Sequence, residues 1–215
     1  MTKHSPYLFF LFIISSAILS GCATQQNNNL PEEIVNQSAI QRTAHLAKIN
    51  QWRLHGKIAF IAQLKNNNSK RESATISWHV NEQTNSQELN LTSYLGINVL
   101  HLASKDNHHQ IQVDGKEYSS NNLTQLVHSL TGLTLPAKAL TFWLKGLPYQ
   151  PTDQVTLSST TQLPISLQSQ FNNTKWQVDY RKYQVFNSVQ MATQFTIKKD
   201  DLLIKIAVKD WSLIH

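Results

Sequence analysis

Apolar and polar residues alternate with a period of two over much of the chain, and this pattern is typical of β-strands with one solvent-exposed face. The first alternating stretch places six apolar residues on a single face: Trp52, Leu54, Ile58, Phe60, Ala62 and Leu64. A second stretch follows a polar turn at residues 66–69 and aligns Ala74, Ile76, Trp78 and Val80. Together they predict a β-hairpin that buries one face.

Shorter alternating runs predict further strands on both sides of a central segment with a different period. Four come before that segment, at residues 87–92, 97–104, 111–113 and 116–119. Six follow it, at residues 155–159, 165–168, 176–180, 193–198, 202–209 and 211–214. Asp114-Gly115 and Asp200-Asp201 are predicted hairpin turns.

Helical periodicity appears in three places. The first helix is predicted to open at Pro31, with a thin apolar stripe formed by Val35, Ala39, Leu46 and Ile49. The second carries Leu123, Leu126, Val127 and Leu130 at helical spacing, between a capping Asn122 and Gly132. The third runs from Pro136 to Gly146 and is apolar nearly all round. Such a helix must be covered on more than one side.

The order of these elements predicts a single, mainly β (α+β) domain. Strands precede and follow the two central helices, without the strand–helix alternation that builds parallel sheets. We therefore expect one antiparallel sheet wrapped around a helical insert. The sequence has no internal repeat and no boundary that would mark a second domain.

The N-terminal residues have the pattern of a secretory signal, in which a basic residue precedes an apolar run and small residues. Lys3 comes before the apolar run at residues 7–19, which is too short to cross a bilayer, since about 20 residues are needed. Leu19-Ser20-Gly21-Cys22 resembles the lipobox of bacterial lipoproteins, whose cysteine is acylated and becomes the N-terminus. The alternative is an ordinary cleaved signal in which the cysteine stands by chance.

Three segments are predicted from this interpretation. Residues 1–21 are a cleaved signal peptide, residues 22–30 are the lipidated N-terminus and a tether, and residues 31–215 are the folded domain. Because Cys22 is the only cysteine, acylation excludes disulfides, zinc–thiolate sites and a cysteine nucleophile. By analogy with lipoprotein sorting, Ala23 favours the periplasmic face of the outer membrane, where two or more acyl chains anchor a protein durably.

Composition narrows the function further. The chain has 19 Lys and Arg residues against 13 Asp and Glu, a net charge of +6 that fits attraction to anionic lipid or acidic partners. No basic cluster interleaves with aromatic residues, so we expect no nucleic-acid binding. There is no G-x-S-x-G, H-E-x-x-H or phosphate-loop motif, and the nine histidines are scattered. We therefore predict no catalytic residues, metal or cofactor.

A central motif is similar to the signature of the LolB family, the outer-membrane receptors of bacterial lipoprotein localisation. Its residues are Leu130-Thr131-Gly132-Leu133-Thr134-Leu135-Pro136, Leu140, Trp143 and Gly146-Leu147-Pro148. Weaker matches follow in the same order along the chain: Gly56-Lys57-Ile58-Ala59-Phe60, Trp78, Leu91-Thr92, Leu95-Gly96, Trp176-Gln177-Val178-Asp179-Tyr180 and Trp211. Tyr94 departs from the family pattern, which usually has proline at this position.

The resemblance implies a fold and a function. The fold is an unclosed antiparallel β-barrel, capped by an N-terminal helix and the central helical insert, around an apolar cavity. The protein, expected to be a monomer, would accept acylated lipoproteins from the periplasmic carrier LolA and insert them into the outer-membrane lipid. The cavity-lining candidates are Ile58, Phe60, Ile76, Trp78, Leu89, Leu91, Leu100, Leu126, Leu130, Leu140, Trp143, Ile204 and Ile206. For each, an ordinary core position is the alternative.

Two segments carry more specific expectations. The helix after Pro136 is interpreted as a lid over the cavity, with Trp143 as the residue that function would need. Tyr94, Leu95 and Gly96 form a predicted membrane-insertion loop, because apolar residues stand where a hairpin tip is usually polar. In the family the matching leucine protrudes towards the membrane. The alternative is that Leu95 folds back into the core.

Two other functional classes remain open. One is a lipid-binding or tethering envelope lipoprotein without transfer activity, and the other is a small periplasmic hydrolase with a diffuse site. A hollow interior favours transfer or lipid binding, whereas a filled core favours the tether. Buried polar residues clustered in a cleft favour the hydrolase.

Overall fold

The computed structural model describes residues 38–63 and 69–214, except for the side chain of Gln63. The predicted signal peptide, the tether with Cys22, the helix start at Pro31 and Leu64 lie outside the described residues. The helices are α1 (Ala39–Lys48), α2 (Leu123–Thr131) and α3 (Ala137–Trp143). The strands are β1 (Gln51–Gln63), β2 (Ser69–Asn81), β3 (Ser86–Thr92), β4 (Asn98–Lys105), β5 (His108–Val113), β6 (Lys116–Ser120), β7 (Gln154–Leu157), β8 (Pro164–Phe171), β9 (Thr174–Phe186), β10 (Val189–Lys199) and β11 (Leu202–Ile214).

All the described strands belong to one antiparallel sheet of 11 strands, in the order β6-β5-β4-β3-β2-β1-β11-β10-β9-β8-β7. Most strands pair with their neighbours in sequence, but β1 pairs with β11 and so joins the two halves of the chain. The helices α2 and α3 fill the connection between the edge strands β6 and β7. The sheet is unclosed, and the predicted fold class is confirmed.

Local chemistry explains where the helices begin and end. The helix α1 begins at Ala39 and not at the predicted Pro31, because Ser38 has an extended backbone and caps it. The Ser38 hydroxyl accepts a hydrogen bond from the Gln41 N–H, while the Gln41 side chain accepts one from the Ser38 N–H. Asn122 caps α2 in the predicted way, and Gly132 ends it with a left-handed φ of 71°. The helix α3 ends at Trp143, earlier than predicted, and a tight turn reaches Gly146. Among the described residues, no helix is long and apolar enough to cross a membrane.

The last two predicted strands are one strand, β11, and this corrects the sequence-based boundary at residue 210. His55 of β1 pairs with Asp210, and Gly56 pairs with Val208, so Lys209 is an extra residue in a β-bulge. The bulge shifts the buried positions from even to odd numbers, which breaks the alternation in the sequence. Gly56 permits this close pairing, because a Cβ atom there would lie 2.2 Å from the Ala207 carbonyl oxygen.

A buried lysine fixes the turn after α3 to the start of the sheet. The Lys145 side chain is 1% exposed, and its Nζ donates to the Ile49 carbonyl oxygen at 3.1 Å and to Glu82 Oε1 at 2.9 Å. Ile49 links α1 to β1, and Glu82 starts the turn between β2 and β3. Lys145 therefore ties three segments together at one end of the sheet.

Replacing Lys145 with methionine is expected to lower the free energy of unfolding by about 1–3 kcal/mol, because a buried carbonyl loses its donor and Glu82 loses its partner. The Glu82 side chain is 26% exposed, so water still solvates it and limits the loss. Urea denaturation measures the effect. The control is Lys138→Met on the exposed side of α3, which should change stability by no more than about 0.5 kcal/mol. Equal effects of the two substitutions would contradict the role of Lys145.

Candidate functional site

The inner face of the sheet is tightly packed at one end and half-open at the other. Leu54, Trp78, Leu89, Leu102 and Ile111 form one row across β1 to β5, and all but the half-buried Leu89 are buried. The next row lies closer to the loop between β3 and β4, and most of its side chains are more exposed to solvent.

That next row contains Ile76, Leu91, Leu100 and Val113, and only Ile76 is buried. Phe60, further along β1, is also half-buried. The sheet therefore presents half-buried apolar side chains on its inner face, and this arrangement suits a flexible apolar ligand.

The predicted lining residues divide into two sets. Eight are buried: Ile58, Ile76, Trp78, Leu126, Leu140, Trp143, Ile204 and Ile206. Five are half-buried: Phe60, Leu89, Leu91, Leu100 and Leu130. Leu89 packs against both apolar clusters of the domain, the large one under α3 and the small one under α2. Leu89 thus connects the two packed regions.

The helix α2 covers the half-open side. Leu126 is buried against Leu102 and Ile111, whereas Leu123, Val127 and Leu130 pack against this cluster with part of their surface exposed. Sequence reasoning missed Val113 and Val127 as inner-face residues. Their signal was present, because Val113 continues the alternation of β5 and Val127 belongs to the apolar stripe of α2.

Trp143 belongs to the packed core, and this corrects the expectation of a loosely held lid residue. Its side chain is 0% exposed, and its Nε1 donates to Asp153 Oδ2 at 3.0 Å. The ring lies 6.0 Å from that of Trp176 and 6.3 Å from that of Phe171, between ring centroids. The physical reason is that β8 and β9 pack against α3 and cover the side that a lid would leave open.

Asp153 fixes the turn that follows α3. Its Oδ2 accepts hydrogen bonds from Trp143 Nε1 and from the main-chain N–H groups of Tyr149 and Gln150. Burial by itself raises the pKa of Asp153, but hydrogen bonds from Ser169, Trp143 and the two main-chain groups outweigh burial and leave the pKa below its usual value. Asp153 is therefore a charged residue that caps this turn, and the hydrogen bonds that it accepts stabilise the fold.

The loop between β3 and β4 carries the most exposed apolar side chains of the sheet. Tyr94 is 97% exposed, Leu95 is 79% exposed and Ile97 is 63% exposed. The Leu95 side chain points outward and does not fold back into the core, which was the alternative interpretation of the sequence. Val99, at the start of β4, is also exposed, and sequence reasoning missed it.

Hydrogen bonds hold this loop in a defined turn. The Ser93 N–H donates to the Ile97 carbonyl oxygen at 2.8 Å, and the Gly96 N–H donates to the Ser93 carbonyl oxygen at 3.0 Å. The Ile97 N–H also donates to the Ser93 hydroxyl. Gly96 has a φ of 78°, which favours glycine. The turn connects the end of β3, which carries Leu91, to the start of β4, which carries Leu100, so the exposed residues stand at the half-open end of the inner face.

The histidines and acidic residues of the domain do not form a second candidate site within the described residues. Across residues 38–63 and 69–214, no three His, Cys, Asp or Glu side chains are grouped closely enough to hold a metal ion. His109 Nδ1 lies 2.9 Å from the Ser104 hydroxyl oxygen. The pKa of His109 is lowered, mainly by burial and also by the neighbouring His108. The apolar inner face and its loop are therefore the strongest candidate site.

Known proteins with similar sequences point to one family. The family model described as "Outer membrane lipoprotein LolB" matches residues 50–211. The chain is 32% identical to the outer-membrane lipoprotein LolB of Psychromonas ingrahamii, over 99% of this chain and 97% of that protein. It is 28% identical to the LolB of Pseudoalteromonas translucida, over 97% of this chain and 96% of that protein.

Among solved structures, a LolA superfamily protein from Nitrosomonas europaea is similar with a TM-score of 0.50 and 6% identity, over 83% of this chain and 94% of that one. This likeness concerns the fold alone. The family model matches most of the described domain, and the two relatives align along nearly their whole length. These matches show that the chain belongs to the outer-membrane lipoprotein LolB family.

Proposed function

We propose that this protein accepts acylated lipoproteins from the periplasmic carrier LolA and inserts them into the outer membrane. The observation that carries the proposal is the row of half-buried apolar side chains that leads to an exposed apolar loop. A lipid-handling protein needs both features, because the ligand must be sheltered from water and then released into a bilayer. Membership of the LolB family supports the same role.

The energetics of an acyl chain favour direct transfer between two proteins. A chain of about 15 methylenes costs roughly 12 kcal/mol to expose to water, at about 0.8 kcal/mol per methylene. A free intermediate would therefore be extremely rare. The chains pass from the apolar cavity of the carrier to the inner face of this sheet while the two openings lie against each other.

The first contacts for the acyl chains are the half-buried residues Phe60, Leu91 and Leu100. Leu130 of α2 packs against the same small apolar cluster as Leu100. Ile58 and its cross-strand partner Ile206 are buried on the same inner face and form the floor of the site. No bond is made or broken, so the role requires no catalytic residue.

The anchor and the loop would place the domain at the membrane. Lipidation of Cys22 would hold the protein on the periplasmic face of the outer membrane, and residues 23–30 would serve as the tether. Tyr94, Leu95 and Gly96 would then reach into the lipid surface and direct release.

The proposal is tested with a transfer assay that uses a form with Cys22 replaced behind an ordinary signal. The protein is mixed with carrier that holds a fluorescently labelled lipoprotein, without an energy source. Movement of the label to this protein supports the proposal. If the label stays on the carrier while the protein binds free lipid, a lipid-binding or tethering function is correct. The burial of eight lining candidates is the observation that favours the tethering function.

A substitution in the half-buried row provides a sharper measurement. Leu91→Asn is expected to lower acceptance of the label about tenfold, because a polar amide replaces apolar surface that would contact acyl chains. The control is Ile165→Asn on β8, where the side chain is exposed. Equal acceptance by the two variants would exclude Leu91 from the binding face.

A further inference from the structure

A buried arginine, Arg42, lies outside the apolar inner face and has no acidic partner within the described part of the chain. The Arg42 side chain, on α1, is 4% exposed. Its Nε donates to the Gln190 carbonyl oxygen at 3.0 Å, and one terminal nitrogen donates to the Lys145 carbonyl oxygen at 3.2 Å. The same nitrogen lies 4.0 Å from the Met191 sulfur. Among the residues that the structure describes, no carboxylate lies within 4.0 Å of this guanidinium.

These partners do not balance the charge. A guanidinium has five N–H donors and stays protonated, so it is expensive to bury without an opposite charge. The second terminal nitrogen of Arg42 makes no hydrogen bond within the described part of the chain. Burial lowers the pKa of Arg42, and the groups that raise it are Tyr183 and Tyr180, with no carboxylate among them.

The guanidinium opens onto a pocket of about 260 Å³ between α1, the turn after α3 and the strands β7 and β8. Much of the wall is apolar, from Pro148, Val155, Leu157 and Pro164. The backbone of Gly146 approaches closely, since a Cβ atom there would lie 3.4 Å from the second terminal nitrogen of Arg42. The pocket thus combines one positive group with a partly apolar wall, which also includes Thr43, Asp153 and Gln162.

Asp153 is the one acidic residue among those that the structure describes around this pocket. It is not paired with Arg42, and its Oδ2 already accepts three hydrogen bonds from the turn after α3. Its Oδ1 is buried without a hydrogen-bond partner among the described residues, and Asp153 forms no ion pair with Arg42 within 4.0 Å. Arg42 remains the group that a ligand would meet.

We propose that this pocket binds a carboxylate attached to a short aliphatic chain. A guanidinium pairs with a planar carboxylate through two parallel hydrogen bonds. The apolar wall suits a few methylene groups, and the volume is too small for a lipid. The carboxylate can belong to a small free acid or to the C-terminus of a polypeptide. The site is separate from the inner face, so its test does not depend on lipoprotein transfer.

The test uses three probes of equal length that differ in their polar group: butyrate, n-butanol and n-butylamine. Each is titrated into the ¹⁵N-labelled protein, and the Arg42 Nε–H and Gly146 N–H resonances are followed. Butyrate is expected to shift both resonances saturably, with an affinity at least about tenfold higher than that of butanol. Equal affinities for the three probes, or no shift with butyrate, would overturn the proposal.

A pair of variants at the pocket wall tests the same site without removing Arg42. Thr43 lines the pocket from α1 and is exposed, so its replacement should not disturb the core. Thr43→Glu supplies a competing carboxylate and should weaken butyrate binding at least about tenfold, whereas Thr43→Gln should change it less than about twofold. Thermal melting checks that both variants fold. Equal binding by the two variants would count against a charge-selective site.

The source of the carboxylate is separated with a short apolar peptide. The peptide is titrated once with a free C-terminal carboxylate and once with a C-terminal amide. Binding of the free form alone, more tightly than butyrate, identifies a polypeptide C-terminus as the ligand. Binding of butyrate but not of either peptide identifies a small free acid. Equal binding of both peptide forms would contradict recognition of a carboxylate.

Discussion

Replacing Leu95 with glutamate is expected to leave folding and acceptance of acylated cargo nearly unchanged while delivery to the bilayer falls about a hundredfold. The leucine is 79% exposed at a hydrogen-bonded turn, so the fold does not depend on it. A carboxylate resists entering hydrocarbon, whereas burial of a leucine there is favourable. The measurement is the rate at which labelled lipoprotein leaves this protein for liposomes, and cargo should accumulate on the variant.

The matched control is Ile40→Glu. Ile40 is 82% exposed on α1, so the change in charge and size is similar but is placed away from the loop. This variant should deliver cargo at the unmodified rate. The membrane role of the loop is wrong if Leu95→Glu unfolds the domain, or if Leu95→Glu and Ile40→Glu deliver equally fast.

Replacing Trp143 with alanine is expected to lower the free energy of unfolding by about 3–5 kcal/mol, because the ring is a fully buried aromatic side chain. It packs against Trp176 and Phe171, and its N–H is hydrogen-bonded to Asp153. Denaturant unfolding followed by circular dichroism measures this loss. A cost below about 1.5 kcal/mol would mean that the segment is loosely packed and acts as a lid after all.

The variant Trp143→Phe separates packing from hydrogen bonding. It keeps an aromatic ring in the core and removes the N–H donor to Asp153, so we expect a loss of only about 1–2 kcal/mol. The two main-chain donors to Asp153 remain. If Trp143→Phe costs as much as Trp143→Ala, the hydrogen bond rather than the packed ring stabilises this region.

The two predictions separate function from stability. Leu95 is exposed and is expected to affect delivery without affecting the fold, whereas Trp143 is buried and is expected to affect the fold first. Transfer measured on the folded fraction of the Trp143→Ala protein should therefore remain close to normal per folded molecule. A loss of transfer without a loss of stability would assign Trp143 a direct contact with cargo.

The sequence alone determined the strand pattern of the first hairpin, the limits of α2 and the mainly β class. Alternation assigned the correct face to Trp52, Trp78 and Ile206, because side chains on a strand point to opposite sides in turn. The motif from Leu130 to Pro148 indicated the family that the whole-chain similarity then showed. The apolar tip at Leu95 was also visible, since such residues are unusual in a hairpin turn.

Only the tertiary structure decided how deeply each inner residue is buried. Periodicity assigns a side chain to a face, but depth depends on what packs against that face. Ile76 and Leu91 alternate alike in sequence, yet Ile76 is buried and Leu91 is half-open. The bulge at Lys209 likewise depends on pairing with β1, because a local pattern carries no information on a distant strand.

The burial of two cations could not be predicted from the sequence either, because it also depends on contacts with distant segments. Arg42 and Lys145 have residue types that are almost always exposed, and nothing in their local pattern separates them from surface residues. Carbonyl groups distant in sequence, at Gln190 and Ile49, receive their hydrogen bonds. Because those acceptors meet the cations only when α1, α3 and the sheet are assembled, burial of these charges is a property of the tertiary structure and not of any local segment.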